Sequence, residues 1–157
     1  TPDLKGTGAR FHNALVDQIQ VQRRIGQSVF TQTYILERGS PLLKIETSID
    51  WQERHVLVKA AFPLNLEADC ATYETPAGVI QRPTQPESDR EKAQWEVPAM
   101  QWADLGDDTY GVSLLNDCKY GYDCQPNQIR LTLLRGSEWP NPEADRGHHH
   151  FTYALYP

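Results

Sequence analysis

Apolar and polar residues alternate with a period of two along much of the chain. In Leu43-Lys44-Ile45-Glu46-Thr47-Ser48-Ile49-Asp50-Trp51 the odd positions are mainly apolar and the even ones polar, an order that turns one face of a strand to a core and the other to water. Similar runs cover Leu15 to Arg24, Val29 to Glu37, His55 to Phe62, Cys70 to Glu74, Ala93 to Val97, Tyr110 to Leu115, Gln128 to Leu134 and His150 to Tyr156. They are rich in Val, Ile, Thr and aromatic residues, which suit a pleated surface. Turn formers separate them at Ile25-Gly26, Arg38-Gly39-Ser40-Pro41, Pro76-Ala77-Gly78, Gly106-Asp107-Asp108 and Tyr120-Gly121-Tyr122. No segment of helical length carries an apolar stripe, and the β-branched, Gln-rich sequence after Asn13 favours a strand there as well. The pattern predicts an all-β, mostly antiparallel sandwich or barrel. Leu43, Ile45, Ile49, Val58, Phe62, Val112, Leu114, Leu131 and Leu133 are its expected core.

Two polar interruptions, Gln81 to Lys92 and Gly136 to Gly147, are of the length at which loops are usually functional or disordered. Nothing marks a repeat or a second domain, and 157 residues suit one domain with a single core. The chain starts at Thr1 and not at Met, as expected of an excised piece or a processed product.

Fifteen Lys and Arg stand against 21 Asp and Glu, a net charge of -6. That balance repels polyanions and removes the counterion release on which nucleic-acid binding depends. No apolar run approaches the roughly 20 residues that span a bilayer, and Thr1 to Gly6 has no apolar signal core, so neither nucleic acid nor membrane is an expected partner. Cys70, Cys118 and Cys124 lack the even count and density of a secreted disulfide framework, which favours a reducing, cytoplasmic setting with buried or incidental thiols. The Cys118-x5-Cys124 spacing could close a small loop if oxidised.

His148-His149-His150 invites a metal reading, but in a strand only His148 and His150 share a face. A structural role is expected, and no metal. Two carboxylates flanking a sugar would suffice for glycoside hydrolysis, yet the sequence selects no pair, and no nucleophile elbow, phosphate loop or metalloprotease helix is present. Leu115 to Tyr122 gathers amide, carboxylate, ammonium and phenol groups at a strand end, which suits the hydroxyls and C–H face of a sugar. The same residues also suit a turn held by Asn116 or Asp117.

The chain resembles the C-terminal β-rich region of the α-mannosidases of glycoside hydrolase family 38. The likeness is carried by Ile49-Asp50-Trp51-Gln52-Glu53-Arg54-His55, Lys59-Ala60-Ala61-Phe62-Pro63, Gly78-Val79-Ile80-Gln81-Arg82-Pro83-Thr84, Trp102-Ala103-Asp104-Leu105, Gly111 to Gly121, Leu131 to Arg135, and Ala144-Asp145-Arg146-Gly147 with His149-x-Phe151-Thr152-Tyr153-Ala154-Leu155. These blocks keep the family's order from Ile45 to Pro157, with the flavour of its cytosolic and bacterial members. The resemblance implies a β-supersandwich of the galactose-mutarotase type, placed after an α/β catalytic domain and a helical bundle. It also implies a retaining enzyme whose Asp nucleophile, acid/base carboxylate and zinc ion belong to those upstream domains, leaving no cofactor and no catalytic residue in this chain. One departure is the strongly charged Gln85 to Glu91, where the family has an aromatic- and Asn/Ser-containing loop.

The expectation is therefore a single β-sandwich domain over residues 1–157, a piece of a larger glycosidase acting on terminal α-mannosides. Its partners would be the parent's catalytic and helical domains and the α-mannoside. Arg82, Asn116, Asp117, Lys119, Tyr120 and Asp145 are the candidate pocket-rim or interdomain contacts. The rivals are a carbohydrate-binding module using Trp51, Trp95, Trp102 or Trp139, of which the first three sit in strand patterns, and a mutarotase-like enzyme using a His and a carboxylate.

Overall fold

The structure is a computed structural model that describes residues 7–94 and 96–157; Trp95 lies outside the described residues. It contains β1 (Thr7–His12), β2 (Val16–Ile25), β3 (Ser28–Glu37), β4 (Leu43–Trp51), β5 (Val58–Pro63), β6 (Cys70–Thr75), β7 (Gly78–Pro83), α1 (Asp89–Lys92), β8 (Val97–Pro98), β9 (Trp102–Gly106), β10 (Gly111–Asn116), β11 (Gly121–Gln125), β12 (Gln128–Leu134) and β13 (Gly147–Tyr156). The fold is all-β and antiparallel throughout the assigned pairings. The chain forms two compact units, one from the described residues up to Leu57 together with Leu134–Ala154, the other chiefly Val58–Leu133.

The first unit is a meander, β1-β2-β3-β4, with β13 beside β4. Tyr34 faces Ile45, Gln32 faces Thr47 and Phe30 faces Ile49 across β3 and β4, so Phe30, Gln32, Ile45, Thr47, Ile49 and Trp51 share one face. All six are buried, and the Phe30 ring meets the Trp51 indole edge-on at 6.0 Å and 87°. Gln32 spends its amide on the Tyr153 hydroxyl of β13, 2.7 Å away. Burial of this face thins towards β1: Ile19 is 48% and Leu36 44% exposed. Leu43, expected in the core, is only half-buried because it pairs with Leu36 at that thinner end.

The β2–β3 turn depends on a residue far along the chain. Glu53 accepts from the backbone N–H of Gln27 at 2.6 Å and of Ser28 at 3.1 Å, and from the Ser28 hydroxyl at 3.0 Å. Gly26 has φ +57°, and a Cβ there would lie 2.4 Å from a Glu53 carboxylate oxygen. Both the left-handed backbone and the close approach call for glycine. Gly26→Ala is expected to lower stability by about 2 kcal/mol, measured as a shifted urea midpoint with unchanged slope.

The second unit has two sheets, β10-β9-β6-β7 and β5-β12-β11-β8. They face each other, since Tyr122 on β11 donates from its hydroxyl to Leu114 O on β10 at 3.3 Å. Val112, Leu114, Leu131 and Leu133 are buried as expected, while Val58 and Phe62 on β5, an edge strand of its sheet, are half-buried.

Three local expectations are corrected here. The strand expected over Ala93 to Val97 does not start at Ala93: Ser88 and Glu91 form a capping box that nucleates the single turn α1, Ala93 is its C-cap, and Val97–Pro98 is the short strand β8. The same box and the extension of β7 to Pro83 break up the loop expected over Gln81 to Lys92. Tyr120-Gly121-Tyr122 is no turn either. Gly121 opens β11, and a Cβ there would sit 2.8 Å from a Glu96 carboxylate oxygen and 3.1 Å from Thr132 Cβ, so the glycine serves close approach and not reversal; the reversal falls at Pro126-Asn127.

Candidate functional site

The loop joining β10 to β11 carries four of the six candidate contacts. Asn116 closes β10 and is 9% exposed. Its amide donates to Met100 O at 3.4 Å, to Gln101 O at 3.3 Å and to the Tyr122 hydroxyl, while its carbonyl accepts from Lys119 N. Tyr120 O accepts from Ala99 N at 3.0 Å, and Gln101 N donates to the Glu74 carboxylate at 2.7 Å. Asn116 is thus the anchor of the turn and has no free edge for a ligand. Around it Asp117 and Cys118 are exposed, Lys119 is half-buried and Tyr120 is 58% exposed, so a carboxylate, an ammonium and a phenol stand on a fixed backbone. Burial and the neighbouring Asp117 raise the Cys118 thiol pKa.

Arg82 does not join this group. It pairs with Ala71, Ala71 with Leu105, and Leu105 with Val112, so Arg82 lies three strands from β10 and four residues short of Asn116. At about 4.8 Å per strand and 3.3 Å per residue the two are roughly 20 Å apart. Arg82 instead donates to Gln94 Oε1 at 3.1 Å, and its Nε is buried with no acceptor. It borders a cavity of about 200 Å³ shared with Tyr73, Thr84, Asp123, Cys124 and Arg130. There Cys124 hydrogen-bonds Tyr73, and burial pushes its thiol up to about 12, leaving it a neutral, unreactive group at physiological pH. All three cysteines are free thiols, with Cys70 and Cys118 exposed.

The outer face of β11 and β12 holds a buried charge network. Asp123, 3% exposed, pairs with Lys59 and with Arg130. Lys59 also reaches Glu96 at 3.0 Å, whose other oxygen accepts from Thr132 Oγ1 at 2.8 Å. These carboxylates are committed to cations and hydroxyls that fix β5, β11, β12 and the segment before β8 to one another.

Asp145 lies in the first unit. Its Oδ2 accepts from Arg135 N at 3.1 Å and Gly136 N at 2.8 Å, and its carbonyl accepts from His149 Nε2 at 2.7 Å. His149 is thereby turned away from His148 and His150, both exposed on β13. Among the described residues no group of three or more His, Cys, Asp or Glu is placed to hold a metal ion. No helix among them is long and apolar enough to cross a membrane.

A feature not singled out as chemical in the sequence is the junction of Arg54, His55 and Glu138. Glu138 takes Arg54 Nη1 at 3.0 Å and His55 Nε2 at 2.9 Å. Glu138 is far in sequence from the adjacent Arg54 and His55, and no spacing rule joins them.

Comparison with known proteins gives a consistent result. The sequence profile of the glycosyl hydrolases family 38 C-terminal domain matches residues 11–143. Alpha-mannosidase 2C1 of Mus musculus is 39% identical over 140 residues, 89% of this chain and 13% of the relative. Alpha-mannosidase G of Dictyostelium discoideum is 40% identical over 132 residues, 84% and 12% respectively. The alpha-mannosidase of Saccharomyces cerevisiae is 41% identical over 114 residues, 72% and 10%. The chain therefore spans only about an eighth of the length of the relatives it matches. The crystal structure of an alpha-mannosidase from Enterococcus faecalis V583 superposes on 98% of this chain and 22% of its own, with a TM-score of 0.85 at 17% identity, which supports the fold. The profile match and the sequence identities together establish that this chain belongs to the glycosyl hydrolases family 38 C-terminal domain family.

Proposed function

We propose that this chain is a non-catalytic supporting domain of a retaining enzyme that hydrolyses terminal α-mannosides. The observation that carries the reading is the identity of 39–41% to proteins named α-mannosidases in which the matching segment is 10–13% of the length, so that the bulk of such a protein lies in other segments. Retaining hydrolysis needs two carboxyl groups about 5–5.5 Å apart across a glycosidic bond. The buried carboxylate here, Asp123, is held between Lys59 and Arg130, and Glu53 and Asp145 are spent on backbone donors. Zinc, required by the family resemblance, would be bound by the upstream domains.

In that assembly the domain packs against the catalytic and helical domains, and Asp117, Lys119 and Tyr120 on their anchored turn reach towards the sugar pocket or the domain boundary. Arg82 and Asp145 act at separate places, Arg82 beside its cavity and Asp145 by shaping a loop. Three free thiols favour a cytoplasmic setting. The test is release of a chromogenic aglycone from an aryl α-mannoside by this chain and by the full-length parent, both with added zinc. The parent is expected to turn over and the chain not. In the parent, Asp117→Ala or Lys119→Ala is expected to lower kcat/KM by about tenfold or more through lost positioning, with zinc content unchanged. Comparable turnover by chain and parent would sink the division of labour.

A further inference from the structure

The tryptophans have different fates. Trp51 is sealed in the first unit and Trp102 is half-buried, but Trp139 is 81% exposed, more than any other large apolar side chain among the described residues. A loop holding such a side chain in water forgoes the stabilisation of burying it.

The loop is nevertheless firmly built. Asp145 holds the backbone N–H groups of Arg135 and Gly136, and Gly136 O accepts from His55 N at 2.7 Å. Gly136 has φ +57°, and a Cβ there would lie 3.0 Å from Glu53 O. His55 is itself left-handed, with φ 54°, a conformation that costs a non-glycine residue free energy and tends to persist where surrounding contacts hold it. Its imidazole and the Arg54 guanidinium both pair with Glu138, the residue before Trp139. Side-chain exposures of 52% for Arg54, 74% for His55 and 30% for Glu138 leave their remaining donors and acceptors open to a ligand.

We propose that Trp139, with Arg54, His55 and Glu138, forms a pyranoside-binding surface separate from the β10–β11 turn. The indole offers a flat apolar face to the C–H side of a sugar ring, and the adjoining groups offer donors and acceptors to its hydroxyls. The Glu138 carboxylate balances the Arg54 guanidinium, so the surface suits a neutral polyol better than an anion. The choice of an α-mannoside as ligand rests on the proposed function, and the surface would hold a second sugar of a branched substrate or product without taking part in bond cleavage.

The test is titration of this 157-residue chain with methyl α-mannoside, following the tryptophan indole N–H signals and the Arg54 and His55 amides by NMR. Saturable shifts at the Trp139 indole with a Kd of order ~1 mM are expected. Trp139→Ala should weaken binding at least about tenfold with an unchanged far-UV spectrum, and Glu138→Gln by a smaller factor. Leu15→Ala, equally a substitution of an exposed apolar loop residue, should leave binding intact. Absence of saturation, or saturation that survives Trp139→Ala, would overturn the proposal. So would a Trp139 indole shielded from a neutral quencher in the unliganded parent, since the loop would then be an interdomain contact. Hydrolysis of an aryl α-mannoside by the parent is scored separately: its failure would count against the proposed function while leaving a measured sugar site in place.

Discussion

Asp123→Ala is expected to lower folding stability by about 3 kcal/mol or more, read as a fall in the urea midpoint. The side chain is 3% exposed and sits between Lys59, 12% exposed, and Arg130, 28% exposed. Removing one partner of a buried ion pair leaves the desolvation of the others uncompensated, which typically costs 3–5 kcal/mol. Glu96 remains on Lys59, which moderates the loss, and Arg130 can turn towards water. Asp123→Asn preserves the shape and should cost less. A loss below about 1 kcal/mol for the alanine variant would mean that the network is worth no more than surface pairs.

Asn116→Ala is expected to cost about 2–3 kcal/mol and, in the parent enzyme, to lower activity alongside Lys119→Ala. Its amide bonds two carbonyls, a phenol and a backbone N–H inside the second unit. Alanine strands several of those groups at once, and the Tyr122 hydroxyl keeps only its weaker bond to Leu114 O. Because the same contacts fix the backbone under Asp117, Lys119 and Tyr120, the loop should gain hydrogen exchange in the variant. Unchanged exchange at residues 117–120 would show that the turn holds itself without the anchor.

Strands with one wet and one dry face were legible in the sequence. β4 was placed with its bounds as observed, because Ile45, Ile49 and Trp51 alternate with Glu46, Ser48 and Asp50. β7 was not, since Gly78–Pro83 is an edge strand exposed or half-exposed along its length and has no apolar face to register. β11 escaped for a different reason. Tyr122 and Asp123 are both buried, one in the core and the other in a charge network, so neither polarity nor burial alternates there. The α1 turn had a readable signal, Ser88 followed three residues later by Glu91.

The candidate site was legible in part. The gathering of polar groups from Asn116 to Tyr120 was visible, but the sequence could not tell a residue that anchors a turn from one that meets a ligand. The two readings of Asn116 differ only in whether its amide is spent, and that depends on Met100, Gln101 and Tyr122 converging on it. Trp139 could be set apart from the other tryptophans only by lying outside a strand pattern. The pairing of its neighbour Glu138 with Arg54 and His55 arises from a long-range approach that no local rule reports.

The placement of β13 beside β4 bears on how the molecule is made. Strands β1 to β4 follow one another with short reversals, so their pairings close small loops and can form as soon as they leave the ribosome. The strand on the other side of β4 is β13, separated from it along the chain by nearly the whole second unit. Until β13 pairs, β4 is an unpaired edge and the early meander is an open sheet. The second unit, contained almost wholly between the two parts of the first, can mature while that edge waits. Removing residues from Gly147 onward would therefore leave β4 as an unpaired edge, so a loss at the end of this sequence is felt in the meander at its beginning.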